Sequence, residues 1–483
     1  MVRGGIHAVK GRRGRNGIGR SALVGLGLVA SAAIIGAVVQ LHQAARPAGR
    51  SAPGCAVHRP ITAAAATALA ARDRRIGLAS WSAFQPTPGH NLILPGVTPA
   101  GDPLAAQWQF QTRGEVSIAP SVVDGVAYFG SSDHCVYAVE MTTGQELWAV
   151  STPNMVMSEP LVVDNRVFFG YGDKTVLATA TGFRRGAGPS GVEAVAAQTG
   201  KRLWRFPTGG EVMPTLLYRD GTVYAPDGNA MFYALAASTG KLLWDVHEGS
   251  IDSMSSPVLV GDMAIFGGAD PYAFYGINLN THRLAWTTQL GKGTPWDAEG
   301  GIDDISPTVA GGLVFLQNPE GVFPTATSVE FALNPQTGRI VWQQALGHGI
   351  ITVSDREEVG VATAVNGILY VGAPEIPGLW ALRVSNGTPV WKTPAPLPQG
   401  IRAAPTVVGP DIYTYGSGWV WVVDRTTGQL LRSLHLSQPG TINSCAPPPV
   451  TIVGQTALLK GANADSIAAI PLRQLSAAKA TSA

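Results

Sequence analysis

Short runs of alternating hydrophobic and polar residues fill most of this chain, and one combination of turn and strand recurs along it. A Thr-Gly turn leads into a strand that ends in tryptophan at Thr143–Trp148, Thr199–Trp204, Thr239–Trp244 and Thr337–Trp342. Weaker copies occupy 281–286, 386–391 and 427–432, and the last of them ends in Arg432 instead of tryptophan. Successive copies end roughly 40 to 56 residues apart, a spacing typical of propeller blades.

Each copy closes a larger unit with a constant internal order. A small residue and a proline open the unit, as at Ala119-Pro120 and Ser306-Pro307, and an apolar strand follows. A turn such as Asp124-Gly125 comes next, and alternating strands such as Val136–Glu140 lead to the Thr-Gly turn. Alternation with a period of two and glycine at the turns predict four antiparallel strands in each unit.

The two ends of the repeated region complement each other. Seven units end between Trp148 and Arg432, yet residues 445–472 still carry three strand-like segments that lack a fourth. The missing strand is available upstream, where residues 107–112 form an isolated strand with a tryptophan. We therefore predict an all-β, eight-bladed propeller over residues 105–472, closed by residues 107–112. Such a closure removes a sheet edge that would otherwise favour aggregation.

The segment Ala237-Ser-Thr-Gly-Lys-Leu-Leu-Trp244 resembles the tryptophan-docking motif of PQQ-like repeat propellers. That family includes quinoprotein dehydrogenases and the outer-membrane assembly propeller lipoprotein, and the resemblance covers about residues 105–472. A broad indole at the end of an outer strand fills the wedge between two blades, and glycine permits the turn that brings it there. The tryptophans expected in this structural role are Trp108, Trp148, Trp204, Trp244, Trp286, Trp342 and Trp391.

The amino-terminal segment differs in composition from the repeats. Residues 1–20 carry six basic residues and no acidic one, and residues 21–41 are uncharged and long enough to span a bilayer as a helix. This pattern predicts a cytoplasmic tail, a retained anchor in the cytoplasmic membrane and an extracytoplasmic propeller. A cleaved signal peptide is the alternative. Residues 42–104 are predicted to form a spacer and strap with a short helix, and residues 473–483 a C-terminal tail.

The charge distribution argues against a nucleic-acid partner, and the long polar loops indicate where a different ligand or partner would bind. The net charge is only +2, and the basic excess is confined to the amino-terminal tail, so a nucleic-acid surface is not expected. The longest polar loops, 287–304 and 343–360, are expected on the face that surrounds the central channel. The candidate binding residues at this channel mouth are Glu159, Trp296, Asp297, Glu299, Asp303, Asp304, Arg356, Glu357, Arg402 and Asn443.

These residue types leave the chemistry of the mouth open. Clustered carboxylates can coordinate Ca²⁺, but solvated loop charge is the alternative, because no EF-hand spacing is present. Trp296 is expected either to contact a partner or to anchor its own loop. His348 has no partner at metal-ligand spacing, so no metal site is predicted.

The chain has three cysteines, so an exported protein of this sequence can form one disulfide within the chain and leaves one cysteine over. Cys135 begins the third strand of blade 1, and Cys445 begins blade 8, its neighbour in the closed ring. Both positions belong to the same face, so we predict a disulfide between them. Cys55 lies in the spacer, where it is available to pair between chains or with either of the other two. Free thiols are the alternative.

The resemblance implies two kinds of function. Quinoprotein dehydrogenases of this fold hold PQQ and Ca²⁺ over the channel, and many carry adjacent cysteines above the quinone. This chain has no Cys-Cys pair, so neither PQQ nor Ca²⁺ is expected, and no catalytic residue is assigned. We expect a non-catalytic binding or scaffolding module with a protein partner in the cell envelope. A PQQ-dependent dehydrogenase and a carbohydrate-binding propeller are the alternatives.

Overall fold

A computed structural model gives the fold of the repeated region and its closure. The described residues are 55, 93–94, 107–179, 183–249, 251–252, 254–268, 273–290, 306–322, 325–350, 360–373, 376–394, 400–401, 403–416, 419–435, 449–460 and 465–477. They belong to one compact unit, Ala52–Ala483. The predicted tail at 1–20, the anchor at 21–41 and most of the spacer at 42–104 lie outside them. In this described part of the chain, no helix is long and apolar enough to cross a membrane.

Four-stranded antiparallel sheets follow one another along the first half of the chain. The first two strands are β1 (Ile93–Leu94) and β2 (Trp108–Gln111). Blade 1 contains β3 (Ser121–Val123), β4 (Val126–Ser131), β5 (Cys135–Glu140) and β6 (Glu146–Ser151). Blade 2 contains β7 (Leu161–Val163), β8 (Arg166–Tyr171), β11 (Gly191–Ala196) and β12 (Arg202–Pro207), with the hairpin β9 (Val176–Ala178) and β10 (Phe183–Arg185) inserted. Blade 3 contains β13 (Leu217–Arg219), β14 (Thr222–Pro226), β15 (Met231–Ala236) and β16 (Leu242–His247).

The same plan continues through the second half. Blade 4 contains β17 (Val258–Val260), β18 (Met263–Gly268), β19 (Ala273–Asn278) and β20 (Arg283–Gln289). Blade 5 contains β21 (Thr308–Ala310), β22 (Leu313–Val322), β23 (Thr325–Leu333) and β24 (Ile340–Ile350). Blade 6 contains β25 (Thr363–Val365), β26 (Ile368–Gly372), β27 (Leu379–Arg383) and β28 (Pro389–Lys392). Blade 7 contains β29 (Thr406–Val408), β30 (Asp411–Gly416), β31 (Trp419–Asp424) and β32 (Leu430–His435). Blade 8 contains β33 (Thr451–Val453), β34 (Thr456–Lys460), β35 (Ser466–Pro471) and β2, and helix α1 (Leu472–Ala477) follows.

The strands of each blade are called A to D from the centre of the ring outward. The first strands of successive blades are neighbours, as β3 is of β7 and β25 is of β29, so strand A is innermost. Two-residue turns join A to B, and in blade 1 Asp124 and Gly125 both adopt positive φ, at 50° and 75°. This geometry matches the right-handed twist of the flanking strands, which explains the Asp-Gly pairs at these turns.

The amino-terminal strand closes the ring, as predicted. Strand β2 pairs antiparallel with β35, with Trp108 opposite Ala469 and Gln111 opposite Ser466. The Gln111 side-chain amide also donates to the carbonyl of Asp465 at 2.9 Å. The fold is therefore an all-β, eight-bladed propeller whose last blade combines the two ends of the repeated region.

Tryptophan side chains join neighbouring blades through a repeated contact. Trp204 at the end of blade 2 donates its indole N–H to the Ala237 carbonyl of blade 3 at 2.9 Å. Gly240 of blade 3 has a φ of 70°, and a Cβ there would lie 2.6 Å from the Trp204 ring. The equivalent hydrogen bonds run from Trp108 to Met141, Trp148 to Ala197, Trp286 to Pro335, Trp342 to Val384 and Trp391 to Arg425. The indole therefore occupies the boundary between two blades.

Two boundaries depart from this pattern and are filled in other ways. Blade 4 has His282 where the other turns have glycine, and its ring stacks on Trp244 with centroids 4.6 Å apart. Blade 7 ends in Arg432 instead of tryptophan, and helix α1 packs against β31 and β32 at that boundary. Leu472 and Leu475 of α1 are buried in the core cluster shared with blades 7, 8 and 1. The predicted C-terminal tail at 473–483 thus begins as a packed helix.

Candidate binding face

One face of the ring is formed where the D–A loops, which connect strand D to strand A of the next blade, meet the B–C turns. In blade 1, Ser132 N–H donates to the Glu115 carbonyl at 2.8 Å, and in blade 3, Gly228 N–H donates to the Glu211 carbonyl at 2.8 Å. These bonds fix a loop and a turn side by side in blades 1 and 3. We call this surface the loop face.

Buried aspartates hold the loops of this face in place. The Asp133 carboxylate accepts a hydrogen bond from the Arg113 N–H at 2.9 Å and from the Tyr137 hydroxyl at 2.7 Å. In blade 3, the Asp227 carboxylate accepts one from the Gly210 N–H at 2.9 Å. Because both carboxylates are fully buried, each fixes the start of a D–A loop to a B–C turn.

Blade 2 adds the hairpin β9–β10 to the loop face. Its base is held by the Asp173 carboxylate, which accepts a hydrogen bond from the Gly188 N–H at 2.6 Å. Burial by itself would raise the pKa of Asp173, but hydrogen bonds from Thr175, Gly188 and Ala187 outweigh it and lower the pKa to about 2. The base of the hairpin is therefore held by a permanently ionised carboxylate at neutral pH.

Two further carboxyl groups on this face are almost entirely buried. Burial raises the pKa of Glu211 to about 7, although its partner Arg185, with Nε 2.7 Å from Glu211 Oε1, opposes the rise. Burial and the nearby charge of Asp227 raise the pKa of Glu248 well above its ordinary value. Neither oxygen of Glu248 has a hydrogen-bond partner among the described residues. Both groups hold a proton more firmly than an exposed glutamate does.

Small polar side chains join the blades around the centre of the ring. The Ser121 hydroxyl of blade 1 donates to Glu159 Oε1 of the next D–A loop at 3.2 Å, and the Thr308 hydroxyl of blade 5 donates to the Ala362 carbonyl at 2.7 Å. Glu159 is only 1% exposed. The residue predicted at the channel mouth is therefore part of the wall between blades 1 and 2.

Most of the residues predicted at the channel mouth are not among the described residues. Trp296, Asp297, Glu299, Asp303, Asp304, Arg356, Glu357, Arg402 and Asn443 lie outside the described residues, and their role at the mouth stays a prediction. His348 is described, and its Nδ1 lies 3.1 Å from the Thr327 hydroxyl. Sequence reasoning missed Glu211 and Glu248, because an isolated glutamate in a loop gives no signal of burial.

A segment upstream of the propeller reaches the inner edge of blade 7. Strand β1 pairs in parallel with β29, with Ile93 opposite Val407 and Leu94 opposite Val408. Because β29 is the innermost strand of its blade, β1 extends that sheet toward the centre of the ring. The region predicted as an irregular strap thus contributes a fifth strand to blade 7.

The disulfide pairing differs from the prediction. Cys135 is bonded to Cys55, with their Cα atoms 5.5 Å apart, so the predicted Cys135–Cys445 bond is wrong. Cys135 does face blade 8, since it lies in the core cluster shared by blades 8 and 1. Cys55 packs against the same cluster and occupies the bonding position, while Cys445 lies outside the described residues.

Removal of this disulfide is expected to destabilise the propeller. Cys55 and Cys135 are 80 residues apart in sequence, so the bond constrains a long loop of the unfolded chain. Cys55→Ser should lower the free energy of unfolding by about 2–4 kcal/mol in urea titrations under non-reducing conditions. Wild type with added reductant should show the same loss. Equal stability of oxidised wild type and Cys55→Ser would contradict the bond.

A quinone held by Ca²⁺ needs a group of oxygen ligands, and most of the acidic residues expected at the channel mouth lie outside the described part of the chain. In the part of the chain that the structure describes, no group of three or more His, Cys, Asp or Glu side chains is arranged to hold a metal ion. Cys135 is bonded to a distant cysteine, whereas the disulfide of many quinoproteins joins two adjacent ones.

Known proteins similar to this chain include tetrathionate hydrolases, outer membrane protein assembly factors and two dehydrogenases. Tetrathionate hydrolase of Acidithiobacillus ferrooxidans is 30% identical over 382 residues, which cover 74% of this chain and 73% of that protein. Tetrathionate hydrolase of Acidianus ambivalens is 27% identical over 59% of this chain and 55% of its own length. The outer membrane protein assembly factor BamB of Legionella pneumophila is 25% identical over 43% of this chain and 50% of its own length.

A comparison of structures and a match to a family model both relate this chain to the assembly factor BamB. The crystal structure of BamB from Moraxella catarrhalis superposes with a TM-score of 0.54 at 16% identity, covering 75% of this chain and 98% of that one, which shows likeness of fold alone. The family model for outer membrane protein assembly factor BamB matches residues 99–185, 188–347 and 325–473. The chain therefore belongs to the PQQ-like propeller family represented by the assembly factor BamB.

Proposed function

We propose that this chain hydrolyses tetrathionate or a closely related polythionate outside the cytoplasm. One observation carries the proposal: the 30% identity to a tetrathionate hydrolase extends over about three quarters of both chains. The BamB similarities are weaker, at 25% and 22% identity for the Legionella and Yersinia proteins. The disulfide between Cys55 and Cys135 supports an oxidising, extracytoplasmic location.

The loop face has features that suit an anionic substrate. Hydrolysis cleaves one sulfur–sulfur bond: the water oxygen joins one sulfur, the bonding electrons leave with the other, and a proton is released. Because tetrathionate carries two negative charges, its site needs cations or N–H donors. Lys174 and Arg184, at the hairpin of blade 2, are partly exposed on this face. The buried aspartates beneath the neighbouring loops keep backbone groups oriented without reorganisation.

The test is turnover by the purified, oxidised full-length chain. Ion chromatography should show loss of tetrathionate and release of thiosulfate or sulfate, with heat-unfolded protein as the blank. Lys174→Ala combined with Arg184→Ala should raise KM by at least about tenfold, because it removes two cations and each charge-assisted hydrogen bond contributes about 1.5–3 kcal/mol. The matched pair Lys201→Ala and Lys241→Ala, in exposed turns before outer strands, should leave KM unchanged. Absence of turnover from pH 3 to pH 8 would overturn the proposal.

A non-catalytic binding module in the cell envelope, anchored by residues 21–41, is the second candidate. The match of the BamB family model across 99–473 favours it. A photo-crosslinker at Trp296 in intact cells should then capture one defined envelope protein, whereas the same group at Lys241 should not. Specific capture together with an inactive purified chain would favour binding over hydrolysis. Addition of PQQ and Ca²⁺ with an alcohol and an artificial acceptor tests the dehydrogenase alternative in parallel.

A further inference from the structure

Blade 5 carries a buried carboxyl group at a position where the other seven blades are apolar. Glu330 lies in strand C, two residues before Ala332, which pairs with the blade tryptophan Trp342. The residues at the equivalent positions are Val136, Val192, Phe232, Phe274, Leu379, Val420 and Ile467, none more than 1% exposed. Glu330 is likewise fully buried. A carboxyl group thus replaces a hydrocarbon side chain in the packing between blades.

The neighbours of Glu330 connect blade 5 to blade 6. Glu330 is opposite Gln317 in the pairing of β23 with β22, so both side chains lie on the same face of the sheet. The Gln317 side-chain amide donates to the Gly372 carbonyl at 2.8 Å, and its oxygen accepts from the Gly360 N–H at 2.9 Å. Gly372 belongs to strand β26 of blade 6, and Gly360 belongs to the D–A loop that enters that blade. We call Gln317, Glu330, Gly360 and Gly372 the blade 5–6 seam.

No charged group on the described residues stabilises a negative charge on Glu330. Neither of its oxygens has a hydrogen-bond partner among the described residues. The titratable groups on the described strands packed around it are Glu320, His348, Tyr370, Arg383 and Lys392. None of these shifts its pKa: burial raises the pKa well above the ordinary value of 4.5, and the Gln317 amide acts in the opposite direction. An ionised carboxylate in such a site would be strongly unfavourable.

We propose that Glu330 makes the blade 5–6 seam sensitive to protons: the protonated side chain packs between the blades, and its ionisation loosens them. The seam holds Gly360, at the end of the D–A loop between β24 and β25. Loosening of the seam at high pH would therefore also release the end of a loop that contributes to the loop face. The sequence of blade 5 sets this response, because no other blade has a carboxyl group at the equivalent position.

The sign of the pH effect follows from the direction of the shift. Since the pKa of Glu330 is higher in the folded than in the unfolded chain, the folded state binds more protons above pH 4.5. Its contribution to stability is therefore fully present below that pH and is lost as pH rises toward the folded-state pKa. Glu330→Gln keeps the shape and removes the titration.

The experiment compares thermal midpoints of the oxidised full-length chain from pH 4 to pH 9. Glu330→Gln and wild type should have similar Tm at pH 4, and the variant should exceed wild type by about 2–4 °C or more at pH 8.5. Glu330→Val, which restores the residue of blade 1, provides a second variant with the same expected trend. Glu320→Gln, at an exposed site in β22, is the control and should follow wild type at every pH.

Hydrogen exchange at the Gly360 amide gives a local measurement. After correction for intrinsic exchange, protection in wild type should fall at least about tenfold between pH 5 and pH 8.5, and Glu330→Gln should abolish that fall. The amide of Gly130, which lies opposite Val136 in blade 1, should keep its protection in both proteins. A Tm difference that does not change with pH, or equal loss of protection in wild type and Glu330→Gln, would overturn the proposal.

Discussion

Phe110→Ala is expected to lower the free energy of unfolding by about 3–5 kcal/mol, because it removes a large side chain from the junction that closes the ring. Phe110 lies in β2 and is 4% exposed. Its ring centroid is 5.6 Å from that of Phe129 and 5.4 Å from that of Tyr137. Those two rings belong to blade 1, whereas β2 belongs to blade 8. Urea titration followed by tryptophan fluorescence measures the loss.

The control for this prediction lies in the same strand. Gln109 is exposed, and its amide donates to the Ser466 hydroxyl at 3.0 Å, so Gln109→Ala should cost only about 0.5–1.5 kcal/mol. Phe110→Ala should also form dimers or larger species on size-exclusion chromatography, because detachment of β2 exposes the edge of β35. Equal losses in the two variants, with both monomeric, would show that β2 contributes little to closure.

The blades and their closure could be predicted because their signals are local and repeated. A glycine turn followed by a strand that ends in tryptophan marks most blades. The turn remains recognisable even where the tryptophan is replaced, as by Arg432 in blade 7. The isolated strand 107–112 complements three unpaired strands at the other end, so counting strands was enough to identify the eighth blade. Helix α1 escaped prediction because six residues carry no usable periodicity. Its stability comes from packing against blade 7, where the repeated tryptophan is missing.

Features that depend on the path of the chain through space could not be predicted. The sequence places Cys135 and Cys445 in neighbouring blades, but the route of the spacer brings Cys55 to Cys135 instead. In the same way, Glu211, Glu248 and Glu330 look like ordinary polar positions in the sequence. Their burial results from the packing of neighbouring blades and loops, which no local pattern records. The buried carboxyl groups of the loop face were therefore not predicted, and the position of the channel-mouth residues that lie outside the described part of the chain stays a prediction.

Gly240→Ala is expected to cost about 2–5 kcal/mol, since it combines two separate penalties. A non-glycine residue at positive φ costs about 1–2 kcal/mol, and Gly240 has a φ of 70°. Overpacking adds about 1–3 kcal/mol, because the new Cβ would lie 2.6 Å from the indole of Trp204. Chemical denaturation of the oxidised protein measures the sum.

Gly221→Ala separates the two penalties. Gly221 has a φ of 78°, but a Cβ there would meet no atom within 4 Å, so this variant should lose only the conformational part. The difference between the two variants then measures the contact between Gly240 and Trp204. Blade 4 shows how a side chain can be accommodated at this position: His282 keeps a φ of 58° and stacks on Trp244. If Gly240→Ala cost no more than Gly221→Ala, the indole would have room to move, and close tryptophan docking would not be what holds the blades together.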